Sequence, residues 1–131
     1  MKALFQAIYT YYGAHVTTGA LAGQLFVNEA PQDTSFPFVV YRLLSITPDP
    51  NFAGEVQEEA TIEFALYDNS ISCSNITDYY ATIIGQLDNA KITVTGYTSL
   101  IFERDYASLD FDIETDIWTY TIQYRVLLLK S

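Results

Sequence analysis

The stretch that decides the fold is APQDTSFPFVVYRLL, at residues 30–44. Its polar first half favours a turn. Pro37 lacks a backbone N–H and fixes its own φ, so it belongs at the start of a strand rather than in its interior. The β-branched and aromatic residues that follow suit a half-buried pleated surface. The stretch therefore predicts a strand over residues 38–46 that begins directly after Pro37.

Two segments with a helical hydrophobic period lie on either side of this strand. The first covers residues 2–12 and is expected to end at Gly13. The second covers residues 75–87, and Asn75 has the side chain of a helix cap. The sequence therefore predicts two helices, and the second has the more regular apolar stripe.

The remaining apolar segments are short or strictly alternating, which is typical of strands. Between the strand after Pro37 and the next one, the residues TPDPNFAGE at 47–55 contain two prolines and a glycine, and they predict a long unpaired hairpin loop. The further predicted strands are at residues 25–27, 61–67, 92–94, 99–104 and 118–128.

This order of elements predicts an α+β fold with a mostly antiparallel sheet. Four to five strands would pack against two helices as a two-layer sandwich, which buries the helical stripes and one face of the sheet. A chain of 131 residues is long enough for one hydrophobic core. We expect a single domain over residues 1–131.

Charge and composition exclude several classes of function. Sixteen Asp and Glu against six Lys and Arg give a formal net charge of −10, which opposes binding to nucleic acid through phosphate contacts. No run approaches the roughly 20 apolar residues that cross a membrane, so no membrane partner is expected. One cysteine excludes an intramolecular disulfide.

No pattern of residues predicts catalysis. His15 is the only histidine, and it lacks the strand–turn–helix context of a nucleophile and its base. Cys73 precedes the second helix, where a small residue at a helix entry is the simpler interpretation. The sequence predicts neither an enzyme nor a cofactor.

Two acidic segments are the candidates for a functional surface. Asp110, Asp112, Glu114 and Asp116 alternate, so an extended chain would aim all four carboxylates to one side. The segment lacks the glycine of an EF-hand loop, so we expect either a solvated acidic hairpin or an acidic face used in assembly. The second segment covers residues 49–59. Tyr9, Tyr12, Tyr97 and Tyr106 lie off the clearest apolar stripes and are candidates for subunit interfaces.

Four segments in this order carry a resemblance to a known family: FVNEAPQDTSFPFVVYRLL at 26–44, TIEFALYD at 61–68, the helix after it, and WTYTIQYRV at 118–126. Together they resemble the tail completion, or tail terminator, proteins of long-tailed bacteriophages and related prophages. The resemblance implies a two-layer α+β subunit that assembles as a ring, often a hexamer, on the head-proximal end of the tail tube.

In that family the ring stops tube growth and presents the surface that joins the head. The implied partners are other copies of the chain, the tail tube protein and a head-completion or connector protein. The implied location is the head–tail junction of the virion, after assembly in the bacterial cytoplasm. The family has no catalytic residue or cofactor to transfer to this chain.

A negative ring would let DNA pass without binding to the wall, so we expect one acidic segment to face the channel or a neighbouring subunit. Two other interpretations stay open: another ring protein of the junction, such as a head-closure or tube protein, and a β-rich module that binds a small molecule. The candidate residues are Asp49, Phe52, Glu55, Glu58, Glu59, Asp110, Asp112, Glu114 and Asp116.

Overall fold

Two helices pack on one face of a five-stranded sheet in this computed structural model. The structure describes residues 2–17, 19–50, 56–88, 90–92, 94 and 97–130, without the side chains of residues 2, 47–50, 56–57, 97–101 and 129–130. The elements are α1 (Lys2–His15), β1 (Leu25–Val27), β2 (Phe38–Pro50), β3 (Val56–Asp68), α2 (Ser74–Leu87), β4 (Tyr97–Asp112) and β5 (Ile117–Lys130).

The strand order is β1-β2-β3-β5-β4. Every neighbouring pair is antiparallel except β1 and β2, which are parallel. The predicted α+β fold with a mostly antiparallel sheet is therefore confirmed. The strand predicted after Pro37 is also present, and the Phe36–Pro37 peptide bond is cis.

The core lies between the helices and one face of the sheet, here called the covered face. Its strand residues follow the predicted alternation, because every second side chain from Ala60 to Leu66 in β3 and from Ile122 to Leu128 in β5 is fully buried. The helices contribute the apolar stripes at their inner sides. The buried residues include Leu4, Ile8, Val39, Tyr41, Ile62, Phe64, Leu66, Ile76, Ile83, Phe102, Ile122, Tyr124, Val126 and Leu128.

Helix α1 is longer than its sequence predicts. Gly13 does not end it, and the helix continues to His15 because a glycine on an exposed turn only weakens a helix. Tyr12 is a core residue, 3% exposed, and its hydroxyl donates a 2.7 Å hydrogen bond to the Leu21 carbonyl. The prediction of Tyr12 as an interface residue is therefore wrong, whereas Tyr9 is 60% exposed.

Helix α2 has the predicted stripe but a different start. It begins at Ser74, after Cys73, which makes no side-chain capping bond. Asn75 lies inside the first turn and donates to the Ser70 hydroxyl at 3.0 Å, so it is not the cap. At the other end, Asp88 accepts a 2.7 Å hydrogen bond from Tyr124 of β5 and lies 3.4 Å from Arg104 of β4. These contacts attach the end of α2 to two strands.

Strands β2 and β3 extend into the segment predicted to be an unpaired loop. Pro48, Asp49 and Pro50 pair with residues 58, 57 and 56 of β3. Because the two prolines are two positions apart, their missing N–H groups lie on the same side of β2. Strand β1 pairs with β2 only along residues 39–41. The prolines therefore lie on a part of the outer edge of β2 that has no neighbouring strand, and they remove no hydrogen bond between strands. Residues 51–55 lie outside the described part of the chain.

Strand β4 is also longer than predicted, and it forms one edge of the sheet. It spans 16 residues, with an irregularity in its pairing to β5 between Arg104 and Tyr106. The separate strand predicted at 92–94 is not formed at Ile92 or Val94, which lie buried in the connection after α2. A longer β4 brings Asp110 and Asp112 into the sheet.

Candidate assembly surfaces

The acidic segment after Tyr106 forms the end of β4 and a tight turn, rather than one extended row. Asp110 and Asp112 belong to β4, and Glu114 and Asp116 lie in the turn at residues 113–116. The Glu114 N–H donates to Asp112 Oδ1 at 2.9 Å, and the Asp116 N–H donates to the Asp112 carbonyl at 2.8 Å. Asp116 has a φ of 57°, so the turn breaks the alternation. The prediction that all four carboxylates share one side is therefore wrong.

The pairing places Asp110 and Asp112 on the face of the sheet opposite the helices, here called the open face. Asp110 pairs with Thr119 and Asp112 with Ile117, positions of β5 that alternate with the buried ones. All four acidic side chains of this segment are exposed. No lysine or arginine side chain that the structure describes forms an ion pair with them.

The second acidic segment lies at the opposite end of the sheet. Asp49 is in β2, where its side chain is not described, and Phe52 and Glu55 fall outside the described residues. Glu58 is half-buried, and Glu59 Oε1 lies 3.8 Å from Arg125 Nε. Nine strand residues separate Glu59 from the end of β3 beside the acidic turn, which corresponds to about 30 Å. The structure therefore separates the two candidate segments.

The middle of the open face carries paired charges. Arg42 Nε lies 3.0 Å from Glu63 Oε1, and Arg125 Nη2 lies 2.8 Å from Glu103 Oε2. The hydrogen bond and the charge of Glu103 raise the pKa of Arg125, so this side chain stays protonated. Exposed pairs of this kind contribute little to stability, because water and salt screen them. They set the charge pattern of the face more than the stability of the fold.

A cleft of about 340 Å³ opens between the β3–α2 connection and the β4–β5 turn. We call it the acidic cleft, and it is lined by Asn69, Ser70, Ile71, Phe111 and Asp116. Asn69 and Ser70 follow β3 directly, and Phe111 is on the covered side of β4. The cleft is therefore formed where the ends of β3, β4 and β5 meet the approach to α2.

A row of three residues crosses the sheet beside this cleft. Asp68 of β3 pairs with Trp118 of β5, and Trp118 pairs with Phe111 of β4. The rings of Phe111 and Trp118 are 4.5 Å apart. Asp68 is 2% exposed, and neither its Oδ2 atom nor the buried Trp118 Nε1 has a hydrogen-bond partner among the described residues. The row thus leaves one buried acceptor and one buried donor unpaired.

Sequence reasoning did not single out the buried carboxylate of Asp68, although the pattern of its strand contained the signal. Ile62, Phe64 and Leu66 alternate on the covered face, and the same period places Asp68 on that face. A carboxylate there is unusual, because buried acids are ordinarily paired.

A second, open groove of about 260 Å³ lies between α1 and the sheet edge. Its lining includes Phe5 and Tyr9 of α1, Val27 of β1 and Tyr41 of β2. Burial and the nearby Tyr9 raise the pKa of Tyr41 to about 12. The groove is apolar and shallow, and it contains none of the predicted acidic residues.

The residues considered for catalysis have local contacts only. His15 Nδ1 lies 2.9 Å from the Tyr11 carbonyl, and the His15 ring stacks on that of Tyr11. Cys73 is exposed. Within the described ranges, no group of three or more His, Cys, Asp and Glu side chains is arranged to hold a metal ion. The helices described are too short or too polar to cross a membrane.

Comparison with known proteins gives a likeness of fold. No protein-family model and no curated protein matches the chain. Among solved structures, the fold is similar to that of a chain from the structure described as "Virion of native gene transfer agent (GTA) particle". The two chains are 11% identical, with a TM-score of 0.76, and the match covers 95% of this chain and 92% of the other. The chain thus shares its whole α+β fold with a virion component.

Proposed function

We infer that this chain is a structural subunit of a phage-like particle, which forms a ring at the head-proximal end of the tail tube. There it would stop tube growth and provide the surface that joins the head. The observation that carries the proposal is the fold shared with a gene transfer agent virion chain over 95% of this chain. The sequence resemblance to tail terminators supports the finer assignment to the junction.

The surface of the chain fits a role in assembly. The open face carries no helix among the described residues, and it bears Thr119 and Thr121 beside the paired charges of Arg42 and Arg125. A polar, half-exposed sheet face of this kind is available to neighbouring subunits. The proposed partners are other copies of the chain in a ring, often a hexamer, the tail tube protein and a head-completion protein.

The net charge of −10 suits a ring through which DNA passes. A negative wall repels the phosphate backbone and offers no counterion release, so DNA would move through without specific binding. Each of the two acidic segments is a candidate for this wall. Because they lie at opposite ends of the sheet, one can face the channel while the other meets a different protein.

Deletion of the gene from its phage or prophage tests the proposed function. We expect overlong tails or tails without heads, because tube growth is no longer stopped and the joining surface is missing. Electron microscopy of the particles measures both features. A complementing copy of the gene should restore normal tails, and tails of normal length joined to heads in the deletion strain would contradict the proposal.

The same experiment distinguishes a tail terminator from another ring protein of the junction. The likeness to a virion chain supports both assignments equally. Loss of a tube protein should abolish tails, and loss of a head-closure protein should leave normal tails beside heads that have lost DNA. The small-molecule module has weaker support. The apolar groove at α1 measures about 260 Å³ and is open, whereas ligand pockets of drug-sized molecules enclose about 300–1,000 Å³ with a mostly apolar lining. The acidic cleft reaches about 340 Å³, but three of its five lining residues are polar.

A further inference from the structure

We propose that the apolar groove at α1 binds the β4–β5 turn of a second copy of the chain, with Ile113 as the side chain that enters the groove. The inference rests on the proposed ring and names the two surfaces through which neighbouring copies meet. Because the two surfaces differ, each copy can give its turn to one neighbour and its groove to another.

The groove provides an uncharged, apolar site of the size of one side chain. It is lined by Phe5 and Tyr9 of α1, Val27 of β1 and the buried Tyr41, and no described residue that lines it is charged. Tyr9 is 60% exposed and Val27 is 40% exposed, because α1 leaves the edge of the sheet partly uncovered. The groove is smaller than the pockets of drug-sized ligands, so one aliphatic side chain of a protein partner fits it better.

The β4–β5 turn presents such a side chain. Ile113 is 83% exposed. The N–H groups of Glu114 and Asp116 both donate to Asp112, so the turn has a defined shape before it binds and loses little freedom on binding. An exposed aliphatic side chain that fits an apolar pocket elsewhere on the same molecule produces head-to-tail association of copies.

Charge complementarity favours a second copy as the occupant. All sixteen acids of the chain lie within residues 29–116, so α1 and β1 contain none, and Lys2 is their one charged side chain at neutral pH. The first turn of α1 therefore has no acid to offset the positive end of its helix dipole. The turn has the opposite character, because Asp112, Glu114 and Asp116 surround Ile113.

The net charge of −10 makes this orientation the favourable one. Two copies of so acidic a chain repel each other in most orientations. Contact between the acidic turn of one copy and the acid-free edge of another repels least, since like charges are kept apart. The same charges therefore select which surfaces of two copies meet.

A chain cannot fill its own groove. The groove lies at the β1–β2 side of the sheet, whereas the turn joins β4 and β5 at the other side. Strands β1 and β4 are four strand spacings apart, which corresponds to about 19 Å. A contact between two separate surfaces repeats from copy to copy and closes into a ring when the rotation permits.

Analytical ultracentrifugation of the purified full chain measures the contact. We expect trimers and larger species to form as the protein concentration rises to about 1 mM, because a small interface binds weakly. Ile113→Ser should weaken this association about 10-fold or more, since it removes the buried aliphatic group. Leu44→Ser makes a similar change at an exposed position of β2 outside both surfaces, and it should change the affinity by less than about 2-fold.

Two variants of Tyr9 test the charge complementarity. Both remove the ring from an exposed position of α1, and they differ only in charge. Tyr9→Glu places a like charge opposite the acidic turn, whereas Tyr9→Lys places an opposite one. We expect Tyr9→Lys to associate about 5-fold more tightly than Tyr9→Glu at about 50 mM salt, and the difference should shrink at about 500 mM salt.

A mixture of two blocked variants identifies the contact as head-to-tail. Ile113→Ser keeps its groove and Tyr9→Glu keeps its turn, so each alone should stay monomeric where the wild type associates. In an equimolar mixture, the turn of the Tyr9→Glu chain can enter the groove of the Ile113→Ser chain, while the other two surfaces stay blocked. We therefore expect dimers with one copy of each variant and no larger species.

Several outcomes would overturn the proposal: a wild-type chain that stays monomeric at about 1 mM, an Ile113→Ser chain that associates like the wild type, Tyr9→Glu at least as tight as Tyr9→Lys, or a mixture without dimers. These outcomes do not depend on tail morphology. Association as described beside normal tails in the deletion strain would refute the tail ring and leave the contact. Overlong tails beside a monomeric chain would refute the contact and leave the tail role.

Discussion

Three buried tyrosines connect neighbouring parts of the fold through their hydroxyl groups. The hydroxyl of Tyr12 donates to the Leu21 carbonyl, that of Tyr41 to the Phe5 carbonyl, and that of Tyr124 to Asp88 Oδ1. Each ring fills the core while its polar end finds an acceptor at the edge of that core. These three of the eleven tyrosines therefore help to hold the fold together.

The buried tyrosines lead us to expect that the protein loses stability at alkaline pH. Burial raises the pKa of Tyr12, Tyr41 and Tyr124 above the ordinary value of 10.0, for Tyr41 to about 12. The unfolded chain loses these protons first, so their contribution is fully present below pH 10 and is lost as pH rises through the folded-state pKa. We expect the free energy of unfolding, measured with urea, to fall between pH 10 and 12.

A comparison variant checks the cause of this loss. Tyr41→Phe keeps the ring and removes the titrating hydroxyl, so its free energy of unfolding should be lower at pH 7 by about 1 kcal/mol and fall less steeply above pH 10. An unchanged slope in this variant would show that other groups cause the alkaline loss.

For single residues, the sequence predicts the helix positions of the core better than it predicts the surroundings of Asp68. Leu4 and Ile8 follow from their spacing, and Tyr12 continues the same spacing. The surroundings of Asp68 do not follow from its own strand, because its cross-strand neighbour is Trp118, which lies 50 positions further along the chain. Contacts between distant segments are set by strand register, which no local pattern contains.

Strand β4 is the longest of the described strands, and it lies at an exposed edge of the sheet. It is an edge strand of 16 residues, and its outer side has no strand partner among the described residues. Its exposed charges at Glu103, Arg104 and Asp105 lie at and before the irregularity in its pairing to β5. Charges and bulges of this kind protect an edge from pairing with other chains.

The protective role of these charges can be tested by removing one of them. Asp105→Val should increase self-association through β4, because it places a β-branched apolar residue on an unpaired edge. Light scattering of the purified protein against time should show faster aggregation than in wild type. Asp78→Val makes the same change on the exposed side of α2 and should aggregate at the wild-type rate, and equal aggregation of both variants would refute a specific role of the edge.

The strands show where local sequence signals mislead. Two prolines in one segment predict a loop, yet Pro48 and Pro50 are both strand residues of β2. Their missing N–H groups would point away from β3, where β2 has no other strand to bond. The alternation of Asp110 and Asp112 does continue as a strand, and it ends at the turn before Ile117. Apart from the strand predicted at residues 92–94, the types of the elements were therefore predictable, whereas their ends depend on neighbouring strands.

The molecule as a whole places its two acidic segments at opposite ends of one sheet. Residues 56–59 lie at the first end of β3, and the acidic turn at residues 113–116 lies beside the connection from β3 to α2. If the chain forms a ring around DNA, this separation allows a direct test of which end faces the channel.

Two charge-reversed variants make that test. One replaces Asp110, Asp112 and Glu114 with lysine, and the other replaces Glu58 and Glu59. We expect the variant whose segment faces the channel to form joined particles that deliver DNA about 10-fold less well or worse, because lysines in the wall bind phosphates. Particle images and infectivity of the same preparations measure the two steps.

Matched neutral variants, with asparagine or glutamine at the same positions, control for folding and should deliver DNA almost normally. If both lysine variants deliver DNA normally, neither segment faces the channel. If particles fail to join, the altered segment belongs to a protein contact instead.

The order of the strands has a consequence for synthesis. Strand β5 follows all other elements in the chain, yet it lies between β3 and β4. While the ribosome is still making β5, β3 has one open edge and β4 has no strand to pair with, so both are exposed to wrong partners. The chain can complete its sheet only after residues 117–130 have emerged, and chaperone binding during translation should therefore persist until that point.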